Sequence, residues 1–206
     1  MEKHSFSFYF SRKFADFAGL FMAFFSTIIL SVLFLQDTRK QNYELLHTKP
    51  ISAAKYVIGK VSVGFFICFV TLLILNLVFW GLCLIYTRES GFEVKLLDFF
   101  IATICYIVPN MLMIICVYAL ISIIFKTSLP AVPLLIFYMV YSNMGTRNAE
   151  GVYGYYGRPF AIMVRFPGQL FDTAPPPMVV FNQSCLLLVS LGIVVICIQI
   201  WKRKRI

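Results

Sequence analysis

The carboxylates and histidines of this chain lie apart from one another and outside its apolar runs, whereas its six cysteines all lie inside those runs. The carboxylates Asp16 and Asp98 flank apolar segments, at depths that lipid headgroups and water reach, and His4 and His47 lie in polar stretches. None of the six cysteines forms a CxxC pair or lies near a histidine at a metal-ligand spacing. Catalysis within a bilayer needs a base, a nucleophile or a metal at depth. The spacings therefore predict a protein that is not an enzyme and that has no metal or cofactor.

The composition is that of a membrane protein. Of the 206 residues, 60% are hydrophobic and only 13% are charged, whereas a soluble domain carries about a quarter charged residues. The net charge of +9 would suggest nucleic acid as a partner of a soluble protein. Here the densest basic block, WKRKRI at 201–206, directly follows an apolar segment, and we interpret it as an anchor to lipid headgroups. We expect a protein of the cell membrane, with the lipid bilayer and no nucleic acid as a partner.

Five apolar segments predict an all-α membrane protein with five transmembrane helices, in a single transmembrane domain over 1–206. A span needs about 20 mostly apolar residues. The segments are 17–35, 61–86, 99–125, 128–143 and 178–201. Pro109 lies in the middle of the third segment, where it should remove one backbone hydrogen bond and kink the helix. The fourth segment is marginal in length and holds two prolines.

Lysine and arginine residues indicate the orientation of these spans. With five spans the two termini lie on opposite sides. One side would hold residues 36–60, Lys126 and the tail after 201, and it carries slightly more basic residues at a higher density than the other side. The long loop 144–177 dilutes the arginines of the other side. We therefore expect a cytoplasmic C-terminus and an external N-terminus.

The most polar stretch between two spans is QDTRKQNYELLHTKPISAAKYVIGK, residues 36–60. A short helix over about 38–47 would place Tyr43, Leu46 and His47 on one narrow, semi-apolar face. Such a helix would lie along the cytoplasmic membrane surface. Its periodicity fits an ordinary connector as well as a docking site for a soluble partner.

The flanking residues predict where this helix and the next one begin and end. Asp37 or Thr38 can cap the short helix, and Pro50 stops it. Ser52 can cap the following helix, which rises into the second span. Lys60 can extend its amine toward the headgroups.

This stretch resembles the coupling-helix region of the permease subunits of type-2 ABC exporters. That family typically shows a charged residue leaving a span, a short helix with a Glu-Leu-Leu core, a Pro-hydrophobic-Ser turn and a Tyr-x-x-Gly-Lys start of the next span. The residues at those positions are Asp37, Glu44, Leu45, Leu46, Pro50, Ser52, Tyr56, Gly59 and Lys60.

The resemblance implies a separate cytoplasmic ABC ATPase subunit with a groove that receives the coupling helix. The expected docking residues are Arg39, Tyr43, Glu44, Leu45, Leu46 and His47. It implies as well a homodimer or a complex with a second permease subunit, and ATP-driven export of a hydrophobic or amphipathic substrate such as a peptide antibiotic or a lipid. The chain lacks the G-x-x-x-x-G-K-[ST] phosphate loop, so ATP hydrolysis is expected in the other polypeptide.

Two further expectations follow from the resemblance. Residues 144–177 take the place of the family's outer segment, which contains short helices and forms part of the outer gate. Within them RPFAIMVRF, 158–166, is predicted to form one apolar-faced helical stretch.

The segment 17–35 matches the family's second span, so the first helix is expected to be absent, supplied by another subunit or lost through a wrong start. This keeps open a second interpretation, a non-transporting membrane protein derived from such a permease that binds a toxin and confers immunity.

Asn76 and Asn110 are amides deep within the second and third spans. Side chains of this kind commonly form hydrogen bonds between helices. The alternative is that Asn76 and Asn110 line a substrate path between two protomers.

Overall fold

The computed structural model of the chain describes residues 5–38, 51–143, 158–166, 175 and 178–204, with the backbone alone for 36–38. These ranges contain five helices and no strand. The helices are α1 (Phe6–Thr38), α2 (Ala53–Thr87), α3 (Leu96–Phe125), α4 (Ala131–Asn143) and α5 (Val179–Lys204). Three of them, α1, α3 and α5, begin at one end of the bundle, which we call the upper end, and finish at the lower end. The other two run in the opposite direction.

Four of these helices are long and apolar enough to cross a membrane, namely α1 over Phe6–Leu35, α2, α3 and α5. The prediction of an all-α, multi-pass membrane protein is confirmed at this level. The fifth predicted span, 128–143, corresponds to α4, which has 13 residues. At a rise of about 1.5 Å per residue α4 extends for about 20 Å, short of the ~30 Å hydrocarbon core. The count of five spans stays a prediction.

The helix α1 is continuous from Phe6 at its upper end. Asp98, in the first turn of α3, accepts hydrogen bonds from the hydroxyls of Ser5, at 2.7 Å, and Ser7. Ser7 in turn accepts the backbone N–H of Lys95 at 3.0 Å. The start of α1 is therefore bound to the start of α3.

Pro109 interrupts the regular hydrogen bonding of α3, as the sequence predicts. The residues just before it, Thr103–Ile107, form a π-helical turn between two α-helical parts. Proline has no N–H to donate, and π-helical turns are common where an α-helix accommodates such a defect. The side-chain amide of Asn110 donates to the carbonyl oxygen of Tyr106 at 2.6 Å. The Asn110 amide thus provides a side-chain hydrogen bond to a carbonyl oxygen of the π-helical turn.

At the lower end of the bundle, two lysine amines donate hydrogen bonds to backbone carbonyl oxygens of neighbouring helices. Ser52 caps α2 as predicted, with its hydroxyl oxygen 3.3 Å from the backbone nitrogen of Lys55. The amine of Lys60 lies 3.3 Å from the carbonyl oxygen of Leu33 in α1, and its reach toward the headgroups stays a prediction. Lys204 donates to the last carbonyls of α3, which carry the negative end of the helix dipole. The amines of Lys60 and Lys204 thus connect neighbouring helices at the lower end of the bundle.

Gly64 lies where α1, α2 and α3 pack closely together. A Cβ atom added at this position of α2 would lie 2.9 Å from the Leu30 side chain of α1 and 3.5 Å from the Ile115 side chain of α3. Both neighbours are fully buried, so they have little room to move. A glycine therefore permits the contact between α1, α2 and α3.

We expect Gly64→Leu to destabilise the protein by about 1–3 kcal/mol, because added side-chain volume in a packed core forces its neighbours out of place. The measurement is thermal unfolding in detergent, followed by loss of the monodisperse peak in size-exclusion chromatography. The matched control is Gly81→Leu in the same helix, where an added Cβ meets nothing within 4 Å. Equal melting temperatures for the two variants would contradict the close approach.

Candidate functional site

Residues 158–166, which we call the capping segment, close the upper end of the bundle. The segment is not helical, which differs from the stretch predicted for RPFAIMVRF. It begins with a turn in which Phe160 has a φ of 59°, a left-handed conformation that costs a non-glycine residue about 1–2 kcal/mol and ends a right-handed helix. After the turn the side chains of residues 161–164 and of Phe166 are all buried. A helix would have turned some of these successive apolar side chains away from the bundle.

Neutral side chains of α4 and α5 bind the first half of the capping segment. Each bond joins a hydroxyl or an amide to the segment's backbone. The bonds are Tyr138 Oη to the Phe160 carbonyl (2.7 Å), Tyr141 Oη to the Pro159 carbonyl (3.2 Å), the Ile162 N–H to Ser142 Oγ (3.1 Å) and Asn182 Nδ2 to the Ala161 carbonyl (3.0 Å). These bonds give hydrogen-bond partners to the backbone of a segment that has no secondary structure.

Charged side chains bind the second half of the capping segment to α1. Arg165 Nε lies 2.5 Å from Asp16 Oδ1, and the N–H of Phe166 donates to Asp16 Oδ2 at 3.4 Å. Lys13 Nζ donates to the Phe166 carbonyl oxygen at 2.6 Å. Asp16 is only 6% exposed. The capping segment therefore covers the carboxylate, and its depth in the membrane stays a prediction.

Arg165 also connects α1 with α4. While Nε pairs with Asp16, its Nη1 donates to Asn143 Oδ1, the last residue of α4, at 2.9 Å. The ring of Phe166, the next residue, packs edge-on against Tyr106 of the π-helical turn, with ring centroids 5.0 Å apart. The upper ends of α1, α3 and α4 thus meet at two consecutive residues of the capping segment.

Little in the sequence indicated that Asp16 and Arg165 would form an ion pair. Asp16 is 150 positions away in the chain from Phe166, whose N–H it accepts, and Arg165 directly precedes Phe166. The one available signal was a carboxylate at the edge of an apolar segment, which needs a partner when it is buried.

Asn76 and Asn110, the proposed path residues, lie inside the protomer. Asn76 is fully buried, accepts the Thr103 hydroxyl at 3.0 Å and donates to the Leu72 carbonyl. Asn110 is 3% exposed, and its Oδ1 accepts the side-chain amide of Gln183 at 3.1 Å. The bonds of Asn76 with Thr103 and of Asn110 with Gln183 join different helices, as the interpretation of these amides as interhelical contacts predicts. A role of either amide in a substrate path stays a prediction.

We expect Asn110 and Gln183 to stabilise the bundle jointly, by the ~0.6–2 kcal/mol typical of interhelical hydrogen bonds in membranes. The measurement is a double-mutant cycle of melting in detergent with Asn110→Leu, Gln183→Leu and the double variant. Each single variant leaves one buried amide without its partner, so the double variant should lose less than the sum of the two. Strict additivity would contradict the bond.

The predicted docking residues Arg39, Tyr43, Glu44, Leu45, Leu46 and His47 lie outside the described residues. The described chain on either side of them ends at Thr38 and resumes at residue 51. Both flanks belong to the lower end, where Lys60 of α2 contacts the Leu33 carbonyl of α1. The structure thus describes the two helices that the docking stretch connects.

One comparison with known proteins gives a match. A family model described as ABC-2 family transporter protein matches residues 2–142. This range contains α1, α2 and α3, all but the last residue of α4, and the stretch 36–60. The comparisons with curated proteins and with solved structures gave no match.

Proposed function

Because the chain belongs to the ABC-2 family of transporter proteins, as a membrane-spanning permease, we propose that it is the permease subunit of an ATP-driven exporter. A separate ATPase subunit binds residues 37–50 through a coupling helix over about 38–47. The permease acts as a homodimer or with a second permease subunit. The observation that carries the proposal is the family match, which covers both the helices and the stretch that resembles a coupling helix.

The helix α1 supports a mechanical role for that stretch. It is continuous over 33 residues, from Phe6 to Thr38, and at about 1.5 Å per residue it is about 50 Å long. Its lower end leads directly into the proposed docking residues, and its upper end carries Asp16. Closure of two ATPase subunits on ATP would push on the lower end, and a continuous helix transmits such a displacement to the upper end.

In the proposed topology the lower end is cytoplasmic and the upper end is external, with five spans. The basic residues Lys202, Arg203 and Lys204 in the last turn of α5 support this orientation, since cytoplasmic ends are rich in lysine and arginine. The substrate leaves through the upper end, and it is hydrophobic or amphipathic, such as a peptide antibiotic or a lipid.

The test is affinity purification of the full chain from its native membrane in a mild detergent, with identification of the proteins that accompany it. We expect an ATPase with a nucleotide phosphate loop in near-equal amount. Purification without any ATPase, both with and without nucleotide, would contradict the proposal. Toxin resistance that persists in cells lacking every candidate ATPase would favour the non-transporting immunity protein instead.

A further inference from the structure

Charged side chains are distributed unequally between the two ends of the bundle. Among the side chains that the structure describes, the carboxylates all lie at the upper end, and they are Asp16, Glu89, Glu93 and Asp98. The described charged side chains of the lower end are all cationic, and they are Lys55, Lys60, Lys126, Lys202, Arg203 and Lys204. The described part of the lower end is therefore electropositive, and the ligand that it favours is an anion.

Lys204 holds one of these charges at a fixed position between α5 and α3. Its amine donates to the carbonyl oxygens of Ile123 and Ile124, at 2.6 and 2.9 Å. An ammonium group has three N–H donors, so these two bonds within the described residues leave one donor for a further acceptor. An amine that is already held in place loses less side-chain entropy when it binds an anion than a mobile lysine does.

Lys126 brings a second charge to the same junction. It directly follows α3, in a left-handed conformation with a φ of 55°, and its charge repels that of Lys204. The turn behind it is fixed, because Tyr118 Oη donates to the Ser128 carbonyl at 3.2 Å and both residues are buried. An anion bound by both lysines replaces their mutual repulsion with two attractions.

Apolar side chains next to Lys126 in the chain indicate the kind of anion. Ile124, Phe125 and Leu129 are 45%, 55% and 68% exposed. A phospholipid carries its phosphate directly beside its acyl chains, so the phosphate can bind the lysines while the chains contact these apolar side chains. A soluble anion can bind only the lysines. Basic pockets between transmembrane helices are known to bind anionic headgroups.

We propose that Lys126 and Lys204 form a binding site for one phospholipid with an anionic headgroup, at the junction of α3 and α5. The site differs from the headgroup anchor expected of the tail, because it depends on where two lysines lie and not on how many basic residues are present. The bound lipid connects the lower ends of α3 and α5. The site goes beyond the proposed function and does not depend on it, since it needs no ATPase.

The test is lipid binding by the purified full chain in a nonionic detergent, measured by native mass spectrometry. The probes are dioleoyl phosphatidylglycerol, dioleoyl phosphatidylcholine, which has the same chains and no net charge, and glycerol phosphate, which has no chains. We expect the first molecule of phosphatidylglycerol to bind about ten-fold or more tightly than phosphatidylcholine, and glycerol phosphate not to bind in the same concentration range. Equal binding of the two lipids, or equally tight binding of glycerol phosphate, would overturn the proposal.

Lys126→Asn is the deciding variant, because it removes the charge while asparagine tolerates the left-handed conformation. We expect it to weaken the binding of the first phosphatidylglycerol by about five-fold or more, whereas Lys126→Arg keeps the binding. The control is Lys202→Gln, which removes the same charge from an exposed side chain in the last turn of α5 and should leave the affinity nearly unchanged. Equal weakening by Lys126→Asn and Lys202→Gln would indicate a general attraction to the basic end and would overturn the site.

Thermal unfolding gives a second readout, since a ligand that binds the folded protein raises its melting temperature. Phosphatidylglycerol should raise the melting temperature of the parent and of Lys202→Gln more than that of Lys126→Asn. The comparison is made within each variant, with and without lipid, so a lower intrinsic stability of Lys126→Asn does not affect it. The same rise in all three proteins would contradict the site.

Discussion

Glu44→Arg combined with Leu46→Asp is expected to abolish copurification of the ATPase while the chain itself still inserts and purifies. A helix that lies in a groove is bound mainly by a few buried side chains. The loss of one buried leucine removes about 1.5–3 kcal/mol, and a carboxylate in its place adds a desolvation cost. With the reversed charge at position 44, affinity should fall by about 100-fold or more.

The measurement is the amount of ATPase recovered per amount of permease from matched membranes. The control is Glu89→Arg, which makes the same charge reversal in an exposed turn at the upper end. We expect this control to retain the ATPase in full. Equal recovery from the double variant and the parent would remove residues 38–47 from the docking site.

Asp16→Asn is expected to be among the most destabilising single substitutions at the upper end, by about 3 kcal/mol. Removing one partner of a buried ion pair leaves the other charge uncompensated, at a cost of ~3–5 kcal/mol. The low end of that range applies because the side chain of Arg165 keeps 31% of its surface exposed. The measurement is thermal unfolding in detergent.

Two comparisons decide the cause of this loss. Asp16→Leu with Arg165→Met should recover much of the stability, since apolar side chains of similar volume often replace a buried pair without loss. Asp98→Asn, which changes a carboxylate with two serine hydroxyl donors, should cost only about 1 kcal/mol. A melting temperature of Asp16→Asn equal to that of the parent would show that the pair does not stabilise the upper end.

Features with local causes could be predicted from the sequence. An uninterrupted apolar run is sufficient to place the membrane-crossing part of α1, because the bilayer leaves few alternatives to a helix. Ser52 caps α2 through a bond to a residue three positions away, and Pro109 disturbs α3 through the N–H that it lacks. Each of these depends on residues that are neighbours in the chain.

Features that depend on residues far apart in the chain could not be predicted from the sequence. The start of α1 at Phe6 is accompanied by the bond from Ser7 to Asp98, 91 positions away. The conformation of the capping segment depends on donors and acceptors from α1, α4 and α5 that no periodicity reveals. Its apolar sequence fits an amphipathic helix equally well until those partners are known. The capping segment is therefore the part of the candidate site that only the structure supplies.

The most direct test of the docking proposal is a photoreactive amino acid at position 46 of the full chain, activated by light in intact cells. We expect a covalent product with a polypeptide that contains a nucleotide phosphate loop, and no such product when the same group stands at Glu89. Products with lipid alone, or labelling of position 46 by a membrane-impermeant reagent added outside the cell, would contradict the proposal that an ATPase binds this permease at residues 37–50.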